Sequence, residues 1–223
     1  RVLLPAMIIA LAVGTLALPS RAAAQGEDSD AANPALLDPS LATQPAPDTF
    51  KVKLETTKGE SLIDVGRQWA PNGADRFFNL VKIGYDDNTG FFRVIDGFLA
   101  QVGLHGNPEV TAAWSRVPLA DDPVTQSNTR GMVTFALTSS PNPRTAQFFI
   151  NYGDNSYLDK SGFAPIGKVV DGMKVADSLY PEYGEGAPRG TGPSQGRLTQ
   201  EGNAYLKAEF PQLDYIVRAT IVE

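Results

Sequence analysis

FFRVIDGFLAQVG (residues 91–103) and GMVTFALTSSPNPRTAQFFIN (residues 131–151) decide the fold, because each places a few polar side chains among apolar, strand-forming residues. Arg93 and Gln101 lie in the first stretch and Gln147 lies in the second. Strand residues alternate between two faces, so these side chains either point to solvent beside core phenylalanines or converge on one site. The two stretches alone leave both interpretations open.

Short apolar segments broken by glycine and proline continue along the chain in both directions. They predict strands over 50–56, 60–65, 90–95, 99–102, 132–137, 147–151, 165–169 and 215–222. Helical spacing occurs only over 74–83, which ends at Gly84, and over 172–179, which follows Asp171. Many short strands with two helices predict a mainly β fold, specifically a closed antiparallel barrel, whose closure also removes exposed edge strands.

The first 24 residues have the layout of a secretory signal peptide. Arg1 precedes a long apolar run, and the small residues Ala22 and Ala24 form a cleavage pattern directly after it. We therefore expect residues 1–24 to be a signal peptide and the protein to be exported to a periplasm. The alternative is an uncleaved membrane anchor, since the run is long enough to span a bilayer marginally.

Residues 25–48 are rich in Ala, Pro, Ser and Asp and have no amphipathic period. A segment of this composition buries too little apolar surface to offset the entropy of ordering it. We expect a disordered linker over 25–48 and one folded domain over 49–223.

The composition restricts the chemistry that the domain can perform. The chain has no Cys and one His, His105, so disulfides, thiolate nucleophiles, iron–sulfur clusters and His-rich metal sites are excluded or hard to build. The formal net charge of -6 disfavours binding to nucleic acid and to anionic lipid. These totals predict an activity without metal or cofactor.

The two stretches resemble the signatures of the cyclophilins, which are peptidyl-prolyl isomerases. The cyclophilin pattern F-H-R-x-I-x-G-F-x-x-Q-x-G is matched at every fixed position except the His, where this chain has Phe92. A G-x-(L/V)-(S/T)-(M/F)-A run followed by (S/A)-Q-F-F-I, a W-L-D motif with Tyr157 in place of Trp, and a V-F-G-K-V type strand follow in the same order. The matching segments are 91–103, 131–136, 146–150, 157–159 and 166–170.

This resemblance implies a closed eight-stranded antiparallel β-barrel capped by two α-helices, no cofactor and no metal, and proline-containing polypeptides as partners. It implies that Arg93 and Gln101 are the catalytic residues. The substrate-binding residues that it implies are Phe98, Leu99, Ala136, Leu137, Gln147, Phe149, Tyr157 and Phe163. Phe163 corresponds, through a one-residue insertion, to a position that is often His in the family.

The implied reaction suits these residue types. Rotation about an X-Pro bond breaks amide resonance, a barrier of about 18–20 kcal/mol, and in the twisted state the proline nitrogen regains a lone pair. A guanidinium aimed at that nitrogen stabilises the twisted amide more than the planar one, which is the kind of binding that accelerates a step. Phenyl rings bury the proline and exclude water, and no proton transfer or covalent bond is required.

Two other functions remain as alternatives. One is a non-catalytic module that holds proline-containing segments as a chaperone, and the other is an unrelated barrel that carries a ligand in its interior. Arg93, Gln101 and Phe149 together favour catalysis over simple binding, since a binder has no need of the arginine. Residues 184–204 exceed what a minimal barrel needs and are expected to form a surface loop, and a monomer is the default expectation.

Overall fold

The computed structural model describes residues 33–137 and 144–222. The predicted signal peptide over 1–24 and the first part of the predicted linker, 25–32, lie outside this range. Within it, no helix has both the length and the apolar character needed to cross a membrane.

One antiparallel sheet forms the centre of the domain. Its strands are β1 Thr49–Thr56, β2 Gly59–Gly66, β3 Thr89–Gly90, β4 Arg93–Ile95, β5 Leu99–Val102, β6 Met132–Phe135, β7 Phe148–Asn151, β8 Pro165–Asp171 and β9 Tyr215–Val222. Neighbouring strands follow the order β3-β9-β1-β2-β8-β6-β7-β5-β4. The concave side encloses the main core, to which Val52, Leu54, Ile63 and Val65 contribute fully buried side chains.

The sheet is curled but open, so the expected closed eight-stranded barrel is wrong in strand number and in closure. The single strand predicted over 90–95 is split: β3 pairs with β9 at one end of the order and β4 pairs with β5 at the other. Gly90 and Arg93 are three residues apart, which limits their separation to about 11 Å. The two edges are therefore tied together by chain connectivity through Phe91 and Phe92, without a ladder of hydrogen bonds between them in the described residues.

The helices also differ from the expectation of two. They are α1 Pro71–Lys82, α2 Pro108–Trp114, α3 Met173–Asp177, α4 Gln195–Glu201 and α5 Asn203–Glu209. Only α1 and α3 correspond to predicted helices. Helix α1 begins where the Asp122 carboxylate accepts hydrogen bonds from the backbone N–H groups of Asn72 and Gly73, at 3.0 and 2.8 Å. Its buried face packs Phe77 and Leu80 into the main core.

Helices α4 and α5 occupy the second part of the region predicted as a surface loop over 184–204, from residue 195 onward. They build a second apolar cluster with the strand-flanking residues Phe92 and Leu104. The cluster consists of Phe92, Leu104, Leu198, Tyr205, Leu206, Phe210 and Leu213. The expectation of a loop is wrong from residue 195 onward, whereas residues 184–194 form turns. Each helix is only seven residues long and Gly202 separates them, so the helical period is too short to detect in the sequence.

Residues 33–48 are packed against the domain, so the predicted linker is wrong for this part of 25–48. Ala35 and Ala46 are buried. The Asn79 side chain accepts a hydrogen bond from the Gln44 N–H at 3.1 Å and donates one to the Gln44 carbonyl at 2.6 Å. Trp114 Nε1 donates to the Leu36 carbonyl at 3.1 Å. Residues 33–48 are therefore held by side chains of the domain, Asn79 and Trp114, which the composition of this segment could not reveal.

Candidate active site

Nine of the ten sequence-predicted site residues line one cavity of about 470 Å³, which opens to the surface beside β4 and β5. They are Arg93, Phe98, Leu99, Gln101, Ala136, Leu137, Gln147, Phe149 and Phe163. Residues that are 70 positions apart in the chain thus meet around one space.

The order of the strands brings the polar and aromatic groups together. Arg93 on β4 lies opposite Gln101 on β5, and Gln101 lies opposite Phe149 on β7. Directly opposed residues of antiparallel strands share a face of the sheet. The three side chains therefore form a row across the sheet, and the structure assigns them to one site, not to a solvent-facing surface.

The Arg93 guanidinium is fixed by a chain of hydrogen bonds. Its Nη1 donates to Gln101 Oε1 at 3.1 Å, and Gln101 Nε2 donates to Gln147 Oε1 at 2.9 Å. The guanidinium carbon also lies 5.4 Å from the centre of the Phe98 ring, a distance at which a cation is attracted to the ring face. Gln101 and Gln147 orient Arg93 without neutralising its charge.

Aromatic and aliphatic side chains form the apolar part of the cavity. The rings of Phe149 and Phe163 meet edge to face with centres 5.8 Å apart. Leu99 and Phe149 are almost completely buried. A small apolar ring such as that of proline fits the chemistry of this wall, because burying it there removes apolar surface from water.

Ala136 and Leu137 follow β6 and form a further edge of the cavity. The Ala136 N–H donates to the Gln147 carbonyl at 2.8 Å, which extends the pairing of β6 with β7 by one step.

Tyr157 is the predicted site residue that does not line the cavity. Its side chain is 60% exposed, and the neighbouring Leu158 reaches the cavity instead. Both lie in the 3-10 helix Ser156–Ser161. Successive residues of such a helix point about 120° apart, so only one of these two neighbours faces the site.

Besides Leu158, four residues at the cavity were not anticipated from the sequence: Thr145, Glu185, Arg189 and Gln195. Glu185 is the most consequential, since its carboxylate binds the Arg93 guanidinium through Nε at 2.9 Å and through Nη2 at 2.8 Å. This hydrogen bonding lowers the pKa of the Glu185 carboxyl below its usual value, so Glu185 is ionised at neutral pH. Nothing in the sequence around Glu185, a glycine- and proline-rich segment, signals this pairing.

In the part of the chain that the structure describes, no group of three or more His, Asp or Glu side chains is arranged to hold a metal ion. The chemistry that the cavity offers is that of an oriented cation beside an apolar, aromatic wall.

Comparison with known proteins agrees with this geometry. The family model for "Cyclophilin type peptidyl-prolyl cis-trans isomerase/CLD" matches residues 51–190. The peptidyl-prolyl cis-trans isomerase of Acinetobacter baylyi is 36% identical over 136 residues, covering 57% of this chain and 70% of the relative. Peptidyl-prolyl cis-trans isomerase B of Escherichia coli is 34% identical over 136 residues, covering 57% of this chain and 82% of the relative.

Solved structures share the fold at lower sequence identity. A cyclophilin-type isomerase of Cryptosporidium parvum, crystallised in the presence of the dipeptide Ala-Pro, superposes with a TM-score of 0.55 at 21% identity, covering 78% of this chain and 99% of that one. Cyclophilin AquaCyp293 of Hirschia baltica gives a TM-score of 0.53 at 23% identity, covering 79% of this chain and 74% of that one. With the family model matching more than half of its residues, this chain belongs to the cyclophilin-type peptidyl-prolyl cis-trans isomerase family.

Proposed function

We propose that this chain accelerates cis-trans rotation of X-Pro peptide bonds in polypeptide substrates, with Arg93 as the group that stabilises the twisted amide. The observation that carries the proposal is the juxtaposition of the fixed Arg93 guanidinium with an apolar cavity walled by Phe149 and Phe163. The family and the named activity of the relatives support the reaction type.

The mechanism follows from the donors that Arg93 offers. A guanidinium has five N–H donors, and three of the Arg93 hydrogen bonds go to Glu185 and Gln101. Two N–H groups remain for a substrate. As the X-Pro bond twists, its nitrogen becomes pyramidal and accepts a hydrogen bond that the planar amide cannot accept, so the interaction strengthens in the transition state.

The cavity wall contributes by holding the proline ring. Phe149 and Leu99 are almost completely buried, so they have little side-chain freedom to lose when they contact the ring. Partial exclusion of water raises the strength of the Arg93 interaction, because electrostatic interactions are stronger at lower local dielectric. The substrate class is a polypeptide containing proline, and the Ala-Pro dipeptide of the Cryptosporidium parvum structure is a minimal example.

The test is exchange NMR spectroscopy of a short Ala-Pro peptide with wild type and with Arg93→Ala. Wild type is expected to broaden the cis and trans resonances of the peptide and to give exchange cross-peaks between them. Arg93→Ala is expected to lose most of this effect while still binding the peptide. A wild-type protein that binds the peptide without enhancing exchange would instead be the non-catalytic chaperone module.

We also propose that the substrates are exported proteins in a periplasm, supported by the basic, apolar and small-residue pattern of residues 1–24. Fractionation of cells that express the protein with residues 1–24 included tests this. Recovery of the protein in the periplasmic fraction with residues 1–24 removed is expected, and recovery in the cytoplasm with these residues intact contradicts it.

A further inference from the structure

Glu185 makes a two-point contact with the proposed catalytic arginine. Its two carboxylate oxygens accept from Arg93 Nε at 2.9 Å and from Nη2 at 2.8 Å, which is the parallel fork geometry of a strong arginine–carboxylate pair. The side chains of Arg93 and Glu185 are 17% and 29% exposed. The pair is sheltered enough to define one orientation of the guanidinium.

The backbone around Glu185 forms a compact turn that holds its carboxylate in place. The Gly186 N–H donates to Glu185 Oε1 at 2.9 Å, and the Gly192 N–H donates to the Glu185 carbonyl at 2.9 Å. Gly190 passes so close to that carbonyl that a Cβ at this position would lie 2.2 Å from the oxygen. The tightness of this turn distinguishes it from a loose lid over the cavity.

Helices α4 and α5 anchor this turn to the residue that directly precedes the strand carrying Arg93. The Ser194 N–H, which ends the turn, donates to the Tyr205 hydroxyl at 3.0 Å. Tyr205 belongs to the second apolar cluster, in which Phe92 is almost completely buried. Because Phe92 directly precedes Arg93, the 184–209 region holds this part of the chain through an apolar contact at Phe92 and an ionic contact at Arg93.

Glu185 does not occupy the space in which a substrate would bind. The cavity persists with the ion pair formed, and Glu185 is one of the residues that line it. The Glu185 carboxylate accepts from Arg93 Nε and Nη2, and the Gln101 side chain accepts from Arg93 Nη1. Each side of the guanidinium therefore has a partner, and two of its five N–H donors remain. A residue that orients Arg93 has to leave some of its N–H groups free for substrate, as Glu185 does. A residue that blocks the site would instead bond to the remaining N–H groups or fill the cavity.

We propose that Glu185 is a positioning residue for the isomerase reaction: it fixes the plane of the Arg93 guanidinium so that the two remaining N–H groups face the proline nitrogen. This inference rests on the proposed function. Without Glu185, the guanidinium keeps one hydrogen bond, to Gln101, and its contact with the Phe98 ring, and it rotates more freely. A displacement of about 1 Å in a reacting group can cost about 100-fold in rate. The Glu185 carboxylate also weakens the positive potential of Arg93. If this weakening outweighed the positioning, removal of Glu185 would raise the rate instead of lowering it.

The first test observes the guanidinium itself and does not depend on activity. In a ¹⁵N-labelled protein, the Arg93 Nε–H resonance is identified by its disappearance in Arg93→Lys. Glu185→Gln retains the size of the side chain but offers one acceptor oxygen and places an amide donor opposite an arginine donor. We expect Glu185→Gln to shift and broaden this resonance, and Glu182→Gln, a change at an exposed carboxylate three residues away, to leave it unchanged.

The second test measures kcat/KM by exchange spectroscopy, together with the Kd for the same Ala-Pro peptide. Glu185→Gln and Glu185→Ala are expected to lower kcat/KM by about 10- to 100-fold with Kd within about twofold of wild type. Glu182→Gln is expected to match wild type. Circular dichroism of each variant confirms that the fold is retained.

The outcomes separate this inference from the function on which it rests. Unchanged or faster catalysis in both Glu185 variants overturns the positioning role, and faster catalysis identifies Glu185 as inhibitory. A wild-type protein without activity overturns the proposed isomerase function and the positioning role with it, although the Arg93 resonance would still report the ion pair.

Discussion

Replacing Arg93 by lysine separates the charge of this residue from the geometry of its donors. Lysine keeps the positive charge but carries three N–H donors on one nitrogen, whereas arginine carries five donors spread over three nitrogens. In the structure three of the arginine donors are committed to Glu185 and Gln101. A single ammonium nitrogen that bonds to these partners cannot also direct a pair of free N–H groups at the proline nitrogen, as arginine does in the proposed mechanism.

The expected magnitude follows from this count of donors. Losing one well-placed donor to a transition state costs about 10²- to 10³-fold in rate, or about 2.7–4 kcal/mol. We therefore expect Arg93→Lys to lower kcat/KM by at least about 100-fold. The fold should survive, because a lysine can still pair with Glu185, whose side chain is 29% exposed and accessible to water. The change in the free energy of unfolding should be about 1 kcal/mol or less.

The assay is two-dimensional exchange NMR spectroscopy of an Ala-Pro peptide at several enzyme concentrations, with urea unfolding of each protein. Arg197→Lys is the matched control, because Arg197 pairs with Glu201 and Glu209 on the surface of α4 and α5 and does not line the cavity. A kcat/KM for Arg93→Lys within threefold of wild type would show that charge alone suffices and would refute the reasoning from donor geometry.

Three further predictions concern other parts of the molecule. Asp86 is fully buried and its carboxyl oxygens have no hydrogen-bond partner among the described residues; burial, and secondarily the charge of Asp87, raises its pKa to about 8. The folded state then holds a proton that the unfolded state releases above about pH 4, so the free energy of unfolding should fall by up to about 1.4 kcal/mol per pH unit between about pH 4 and pH 8. Urea unfolding at pH 5 and pH 8 should show that the free energy of unfolding falls less between these pH values in Asp86→Asn than in wild type. An equal decrease in both proteins would count against this account. Asn79→Ala removes both hydrogen bonds to Gln44 and should lower the free energy of unfolding by about 1–3 kcal/mol, measured at pH 7; no change would mean that residues 33–48 add nothing to stability. Tyr157→Ala should leave kcat/KM within about threefold of wild type, since this side chain is exposed and outside the cavity, and a large loss would place it in the site.

The parts of the site that could be predicted are those carried by short stretches of sequence. The alternation within residues 91–103 and the Q-F-F-I run after Ala146 place Arg93, Gln101 and Phe149 on strands, and the resemblance to the cyclophilins puts those strands side by side. The structure brings all three to one cavity. The main core was predictable for the same reason, because strand period alone selects the buried residues of β1 and β2.

The closure of the sheet and the packing of residues 33–48 were not predictable from local pattern. Whether β3 and β4 pair with each other depends on where Phe91 and Phe92 pack, and those two side chains enter different apolar clusters. The order of residues 33–48 depends on partners such as Asn79 and Trp114, which are distant in sequence. Local composition carries no information about partners of this kind.

The amino-acid sequence by itself determined the family signatures, the strands that carry Arg93 and Gln101, and the polarity of the proposed site. Only the tertiary structure decided how Arg93 is held, because Glu185 lies 92 residues away in a segment without a regular pattern. The period of a strand or helix indicates which residues share a face within that one element. An ion pair across the fold depends on how separate elements pack. Here Glu185 lies in a turn that ends with a hydrogen bond from Ser194 to Tyr205, and Tyr205 belongs to the apolar cluster that also buries Phe92.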